Sequence, residues 1–191
     1  MSCMLGIDIG FTHTGWVAAT PTGQGNYEIV RLGCIVTVPI GKKGAVRVAD
    51  SDVERCKTIY RELMRIIWRE NVHGLVFEVP HGGAQSARAA RALGLATGIL
   101  ACVAEQAGGE GMLPSEYVTP QANKREFCGR NNASKEQMIA RAVELWPSAP
   151  PWPRAKDQLE HVADAAGCLY AVRNGDLYRR LAMMETKGER A

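Results

Sequence analysis

Two short apolar runs each carry one carboxylate, and they constrain this chain more than anything else in it. The first is Leu5-Gly6-Ile7-Asp8-Ile9-Gly10 and the second is Leu75-Val76-Phe77-Glu78-Val79. Runs of this length, ended by Gly or Pro, read as buried strands. A lone carboxylate in a buried strand is expensive unless a basic group, a hydrogen-bond network or a metal ion compensates for it. Two of them, on strands that could be neighbours, point to a functional site rather than to accidents of the core.

The rest of the chain supplies a frame for those strands. Gly15 to Thr20 and Tyr27 to Val38 read as a second and third strand, joined by short turns into an antiparallel meander. A basic loop, Ile40 to Ala49, leads into an amphipathic helix over Asp50 to Glu70, with Asp50 or Ser51 as its cap. Pro80 stops the fourth strand. An Ala-rich helix over Ala84 to Gln106 follows, with Ala87, Ala90, Gly94, Thr97, Gly98 and Ala101 recurring at spacings of three and four. Ser115 to Thr119 reads as a fifth strand. Ser134 with Gln137 makes a capping box that opens a helix to about Trp146. Pro147 to Pro153 reads as a rigid linker, and Asp157 to Arg173 as the last helix, with Asn174-Gly175 at its end. This order predicts an α/β fold: a mixed five-stranded sheet, three antiparallel strands then alternating helix and strand, with helices on both faces. Residues 1–175 form one domain in this reading, and 176–191 a charged tail that frays.

Composition narrows the class. The chain has 191 residues, 46% hydrophobic and 23% charged, the balance of one globular domain rather than of a disordered segment. No apolar run reaches the roughly 18 residues of a membrane span, and no secretory signal precedes Met4. The six cysteines include no Cys-x-x-Cys pair, which disfavours structural zinc and suits a reducing, cytoplasmic setting. Net charge is +3, so where the basic residues fall matters more than their sum. They cluster as Lys42, Lys43 and Arg47; as Arg88 and Arg91; as Lys124, Arg125, Arg130 and Lys135; and as Arg179 and Arg180. Such clusters are often only solvated surface. Lys124 and Lys135 flank the strand-to-helix region expected near the acids, which favours phosphate contact. The segment Arg125 to Ala133, read as a loop with Gly129, could approach a nucleic-acid backbone closely.

The last helix adds His161 and Asp164, three residues apart and so on one face, among apolar neighbours. Asp157 and Glu160 read instead as acids solvated at the positive end of that helix. Carboxylates with one imidazole suit Mg²⁺ or Mn²⁺ rather than zinc. Two such ions about 4 Å apart can hold a phosphodiester between them.

These residues, in this order, resemble the RuvC-type Holliday junction resolvases of the RNase H-like (retroviral integrase) superfamily. Leu5 to Gly10 with Thr14-Gly15 looks like that family's first acidic strand, Phe77-Glu78-Val79 like its second, and His161-Val162-Ala163-Asp164 like its closing motif. Lys124 and Lys135 match a basic pair in spacing and position. The resemblance implies a structure-selective DNA endonuclease that resolves four-way junctions by paired symmetric nicks, leaving 5′-phosphate and 3′-hydroxyl ends. It implies Asp8, Glu78, His161 and Asp164 as catalytic residues and ligands to two Mg²⁺ or Mn²⁺ ions, with Lys124 acting on the scissile phosphate. It further implies branched DNA as partner and a homodimer through the long helix after Glu78. Lys42, Lys43, Arg88, Arg91, Arg125, Arg130 and Lys135 are the expected DNA contacts. The family's stacking aromatic falls at His81, after Pro80, a departure from its pattern; the Pro-rich 147–153 segment is another. Rival readings are a flap- or branch-cutting nuclease of the same superfamily, a non-catalytic DNA-binding relative, and an actin-like ATPase, for which Asp8-Ile9-Gly10-Phe11-Thr12 is a partial match without a second phosphate motif.

Overall fold

The computed structural model describes residues 2–41, 46–79, 86–107 and 113–188. Lys42, Lys43 and His81 lie outside the described residues. The first apolar run forms β1 (Cys3–Asp8), buried throughout. The meander follows as β2 (His13–Gly23) and β3 (Asn26–Val36), each antiparallel to the strand before it. β2 runs past Thr20 and takes in Pro21. The proline is tolerated because β1 pairs no further along β2 than Ala19, so no ladder needs its missing N–H on that side.

The first helix, α1 (Val48–Arg69), starts before the expected Asp50. Ser51, expected as a cap, is buried, and its hydroxyl accepts the Ile40 N–H at 3.0 Å. β4 (Val72–Glu78) lies parallel to β1, α2 (Ala87–Ala107) follows, and β5 (Ser115–Val118) lies parallel to β4. The sheet order is β3-β2-β1-β4-β5, which confirms the mixed five-stranded α/β fold.

Two expectations need correction after β5. Residues 125–128 of the expected loop belong instead to helix α3 (Pro120–Cys128). Thr119 caps it, accepting the Ala122 N–H at 3.2 Å; Pro120 opens it and Gly129 closes it with φ 74°. α4 (Lys135–Leu145) carries the expected capping box, and α5 (Lys156–Ala171) is the expected acidic helix. Residues 176–188 do not fray as a tail. They form α6 (Asp176–Gly188), which buries Leu177, Tyr178 and Leu181 on the sheet. The Tyr178 hydroxyl donates to the Asn26 carbonyl at 2.8 Å. Counting charges hid that apolar stripe.

Helices cover both faces. Leu5, Ile7, Leu75 and Phe77 pack with α1 and α2; Met4, Val17 and Val76 pack with α5 and α6. Among the described helices, α2 alone is long and apolar enough to cross a membrane by length and composition, a feature the search for unbroken apolar runs passed over. Its buried row, Ala96, Ile99, Leu100, Val103 and Ala104, belongs to the α1-side core.

Candidate active site

The alternation of strand side chains decides where the acids go. Asp8 and Glu78 are direct partners in the parallel β1–β4 register. Both therefore emerge on the same face as Met4 and Val76, the face that α5 covers. They do so at the C-terminal ends of the two strands, where the sheet gives way to turns.

Glycines bring α5 down onto that face. A Cβ on Gly15 would stand under 3.0 Å from the His161 carbonyl, and one on Gly6 under 3.0 Å from the Ala165 carbonyl. With no side chain at either position, the helix backbone rests on β1 and β2. This close approach places His161 Nδ1 2.5 Å from Asp8 Oδ2. Asp164, three residues along, faces the same space.

The turn after β1 is fixed from the other side. The Arg55 guanidinium, buried, donates to the Phe11 carbonyl at 2.8 Å and to Thr12 Oγ1 at 3.0 Å, and lies 4.1 Å above the Phe11 ring centre. The Thr37 hydroxyl donates to the same carbonyl at 2.6 Å. Arg55 thus anchors a loop beside the acids without touching them.

Electrostatics in the cluster are strained. Burial, then the Asp8 charge, push Glu78 up to about 8, against a hydrogen bond from Asn123. The same two causes push Asp164 up to about 7, with His161, Lys124 and Lys135 pulling it down. Burial lowers the His161 pKa, but the hydrogen bond and charge of Asp8 outweigh it and the net shift is upward. Glu78 and Asp164 are thus held where burial and the neighbouring Asp8 charge oppose their ionisation. Among the described residues no three His, Cys, Asp or Glu side chains form a ready-made metal cage.

The basic residues divide. Lys124, on α3, is half-buried and close enough to lower both Glu78 and Asp164. Lys135, the first residue of α4, pairs with Glu160 and also feels Asp164 and Asp8. Glu160, read from sequence as a solvated acid, is 13% exposed and holds that lysine. Arg125 pairs with Glu126 at 3.3 Å. Arg130 lines an open groove of about 590 Å³ between α3 and α4, with Gly129, Gln137 and Arg141. Arg88 is exposed on α2, whereas Arg91 is tied to Asp52 of α1 at 2.9 Å.

Sequence reasoning passed over two further residues at the site. His13 stacks on His161, ring centres 5.7 Å apart and planes 23° from parallel, and its Nε2 lies 3.2 Å from Asp157 Oδ2. Asp157 is thus a partner of the site and not only a helix-end charge. Asn123 is fully buried and donates to Glu78. Neither is marked by its own segment: His13 opens β2 and Asn123 lies inside α3, and each meets the site only through elements distant in sequence.

Comparison with known proteins gives a consistent picture of the fold. No protein-family model matches the chain, and no curated protein matches its sequence. Solved structures do match. RuvC of Thermus thermophilus in complex with a Holliday junction substrate aligns with a TM-score of 0.68 at 20% identity, covering 88% of this chain and 91% of that one. The yeast mitochondrial Holliday junction resolvase Ydc2 aligns at 0.58 and 12% identity, covering 96% and 83%. Fowlpox virus resolvase, solved with Holliday junction DNA, aligns at 0.50 and 11% identity, covering 90% and 97%. With its five-stranded mixed sheet and acids at the ends of β1 and β4, the chain has the fold of the RuvC-type Holliday junction resolvases.

Proposed function

We propose that this protein is a divalent-metal-dependent endonuclease that resolves four-way DNA junctions as a homodimer in a reducing cytoplasm. The observation that carries the reading is the meeting of Asp8, Glu78, Asp164 and His161 at one end of the two central parallel strands. The resolvase fold of the chain supports the choice of substrate.

The donor set fits a hard divalent cation. Carboxylate oxygens suit Mg²⁺ or Mn²⁺. The raised pKa values of Glu78 and Asp164 express a local excess of negative charge that such an ion would neutralise. Asp8, Glu78 and Asp164 would hold one or two ions, with His161 at their edge. When bound, the ions supply an activated water and stabilise the leaving 3′ oxygen. The protein's own groups do the rest. Asp8 orients the His161 ring through Nδ1, so that Nε2 is available to take a proton from water. Lys124 places positive charge beside the acids, where a phosphate bridging them would develop charge in the transition state. Lys135 and Arg130 extend that positive charge along α3 and α4.

The homodimer rests on α2. Ala87, Ala90, Gly94 and Gly98 are exposed, and a Cβ on either glycine would meet nothing within 4 Å, so this small-residue face is not used inside the described fold. Two active sites related by a two-fold axis match the two symmetric cuts that a four-way junction requires.

Strand-by-strand mapping of cuts on a synthetic mobile junction tests the proposal. Paired, symmetric, ligatable nicks that need Mg²⁺ or Mn²⁺ are expected. Cutting of flaps or forks with the junction left intact would replace the resolvase reading by that of a flap nuclease. Asp8→Asn is expected to bind junctions and leave them uncut; metal-dependent cutting at the wild-type rate would remove Asp8 from the mechanism. Lys124→Ala is expected to lose single-turnover cleavage by about 100-fold or more while junction affinity falls far less. Equal losses in both would make Lys124 a binding residue only.

A further inference from the structure

Asn123 is the one fully buried polar side chain joined directly to an acid of the site among the described residues. It sits on α3, one residue before Lys124. Its amide nitrogen donates to Glu78 Oε2 at 2.7 Å and to the main-chain carbonyl of Asp164 at 2.9 Å. The Cys168 sulfur lies 3.4 Å from the same nitrogen. One NH₂ group therefore spans the strand that carries the second acid and the helix that carries the last one.

Two further observations show that this arrangement is specific. The amide oxygen, Oδ1, is buried and accepts no hydrogen bond among the described residues. An unmet buried acceptor is costly, and turning the amide over would be worse. The oxygen would then face the Asp164 main-chain carbonyl, which can only accept, and the NH₂ would lose both partners. Second, α5 makes room for the amide. A Cβ at Gly167 would stand under 3.0 Å from Asn123 Oδ1, so any larger residue there would displace the side chain. The fold thus keeps a helix-interior glycine and tolerates an unmet oxygen at the place where this amide sits.

We propose that Asn123 is a positioning residue that ties the Glu78 carboxylate to the backbone of Asp164, fixing one acid relative to the other so that both can close on a cation. The proposal rests on the reading of Glu78 as a metal ligand given above. Groups behind the ligands of a metal site commonly act in this way, and their loss weakens metal binding by about 10- to 100-fold. A packing role for Asn123 predicts loss of stability with any smaller or apolar residue. A positioning role predicts an effect that depends on Glu78.

Two measurements separate these roles. The first needs no metal. In the folded wild-type protein, the Asn123 side-chain NH₂ resonances should exchange slowly with water, and one of the two protons should shift upfield in Glu78→Ala. If both protons stay where they are in that variant, the hydrogen bond and the proposal fail together. The second is Mn²⁺ binding, followed by the electron paramagnetic resonance of free Mn²⁺. Asn123→Leu should weaken binding about 10- to 100-fold. In a Glu78→Gln background the same substitution should cost no more than about twofold, because the group it positions no longer ligates. An undiminished loss in that background would overturn the proposal, as would wild-type affinity in folded Asn123→Leu. If the leucine variant does not fold, Asn123→Ser carries the same comparison. Wild-type protein that binds no Mn²⁺ would defeat the metal-dependent reading itself, and the exchange measurement would still decide what Asn123 holds.

Discussion

α5 and α2 are both rich in small residues, and they use that smallness in opposite directions. In α5, Ala163, Ala165, Ala166 and Gly167 are buried, and the helix backbone rests on β1 and β2 where Gly6 and Gly15 leave no side chain. His161 reaches Asp8 because of that contact. In α2 the buried row is Ala96, Ile99, Leu100, Val103 and Ala104, while Gly94 and Gly98 face outward and meet nothing. A glycine inside a helix costs about 1 kcal/mol relative to alanine. In α5 that cost is offset by a neighbour in the same chain; in α2 no such neighbour exists among the described residues. Small size is readable from sequence, but the side on which it is used is a property of the fold.

The largest effect should come from filling the space beneath α5. Gly15→Ala and Gly6→Ala each place a methyl group against helix backbone that cannot rotate away. Each should lower the unfolding free energy by about 3 kcal/mol or more in urea titration. Gly15→Ala should also separate His161 from Asp8, so that the folded fraction loses cleavage. A loss under about 1 kcal/mol would mean that α5 can ride outward on the sheet, and the contrast between the helices would collapse.

The same contrast explains what could be read before the structure was known. Asp8 and Glu78 stood out because a charge in an apolar run is anomalous by itself. Their register partnership did not, because pairing depends on which strands become neighbours. His161 and Asp164 were visible through helical spacing. His13 and Asn123 were not, because each acts through a contact between elements distant in sequence and neither is anomalous where it stands. α3 was legible in principle, from Thr119-Pro120 and Gly129, but its polar composition made 125–133 look like loop. α6 was lost for a similar reason: Leu177, Tyr178 and Leu181 form a stripe too short to outweigh the charges around it.

A smaller effect should mark the acids that α5 faces. Glu78, raised to about 8, and Asp164, raised to about 7, hold protons more tightly in the folded chain than in the unfolded one. Their contribution is therefore full below the unfolded carboxylate range and lost as pH rises toward 8. Without divalent cation, the protein should lose stability on the order of 2 kcal/mol between pH 5 and pH 8, read from denaturant midpoints in matched buffers. Glu78→Gln should flatten that slope, and Mg²⁺ should stabilise the wild type more at pH 8 than at pH 5. The outward face of α2 carries no comparable acid, so Gly94→Ala should leave the slope unchanged. A slope that survives Glu78→Gln intact would move the strain to some other part of the molecule.

The smallest expected effect lies on α2 itself, and its sign distinguishes the two helices. Gly94→Ala or Gly98→Ala removes a poor helix former from a position with open space around it. In a monomer each should raise stability by about 0.5 to 1 kcal/mol, the reverse of the substitutions beneath α5. If a second copy packs its own small-residue face there, the added methyl groups hold the two helices apart. The double variant should then show a higher melting temperature when dilute and a weaker dimer by sedimentation equilibrium. Stability and self-association moving in opposite directions is a result that an unpartnered surface cannot give. A double variant that is stabilised while dimerising as the wild type does would place the subunit contact elsewhere, and would leave the glycines of α2 without a role that this fold explains.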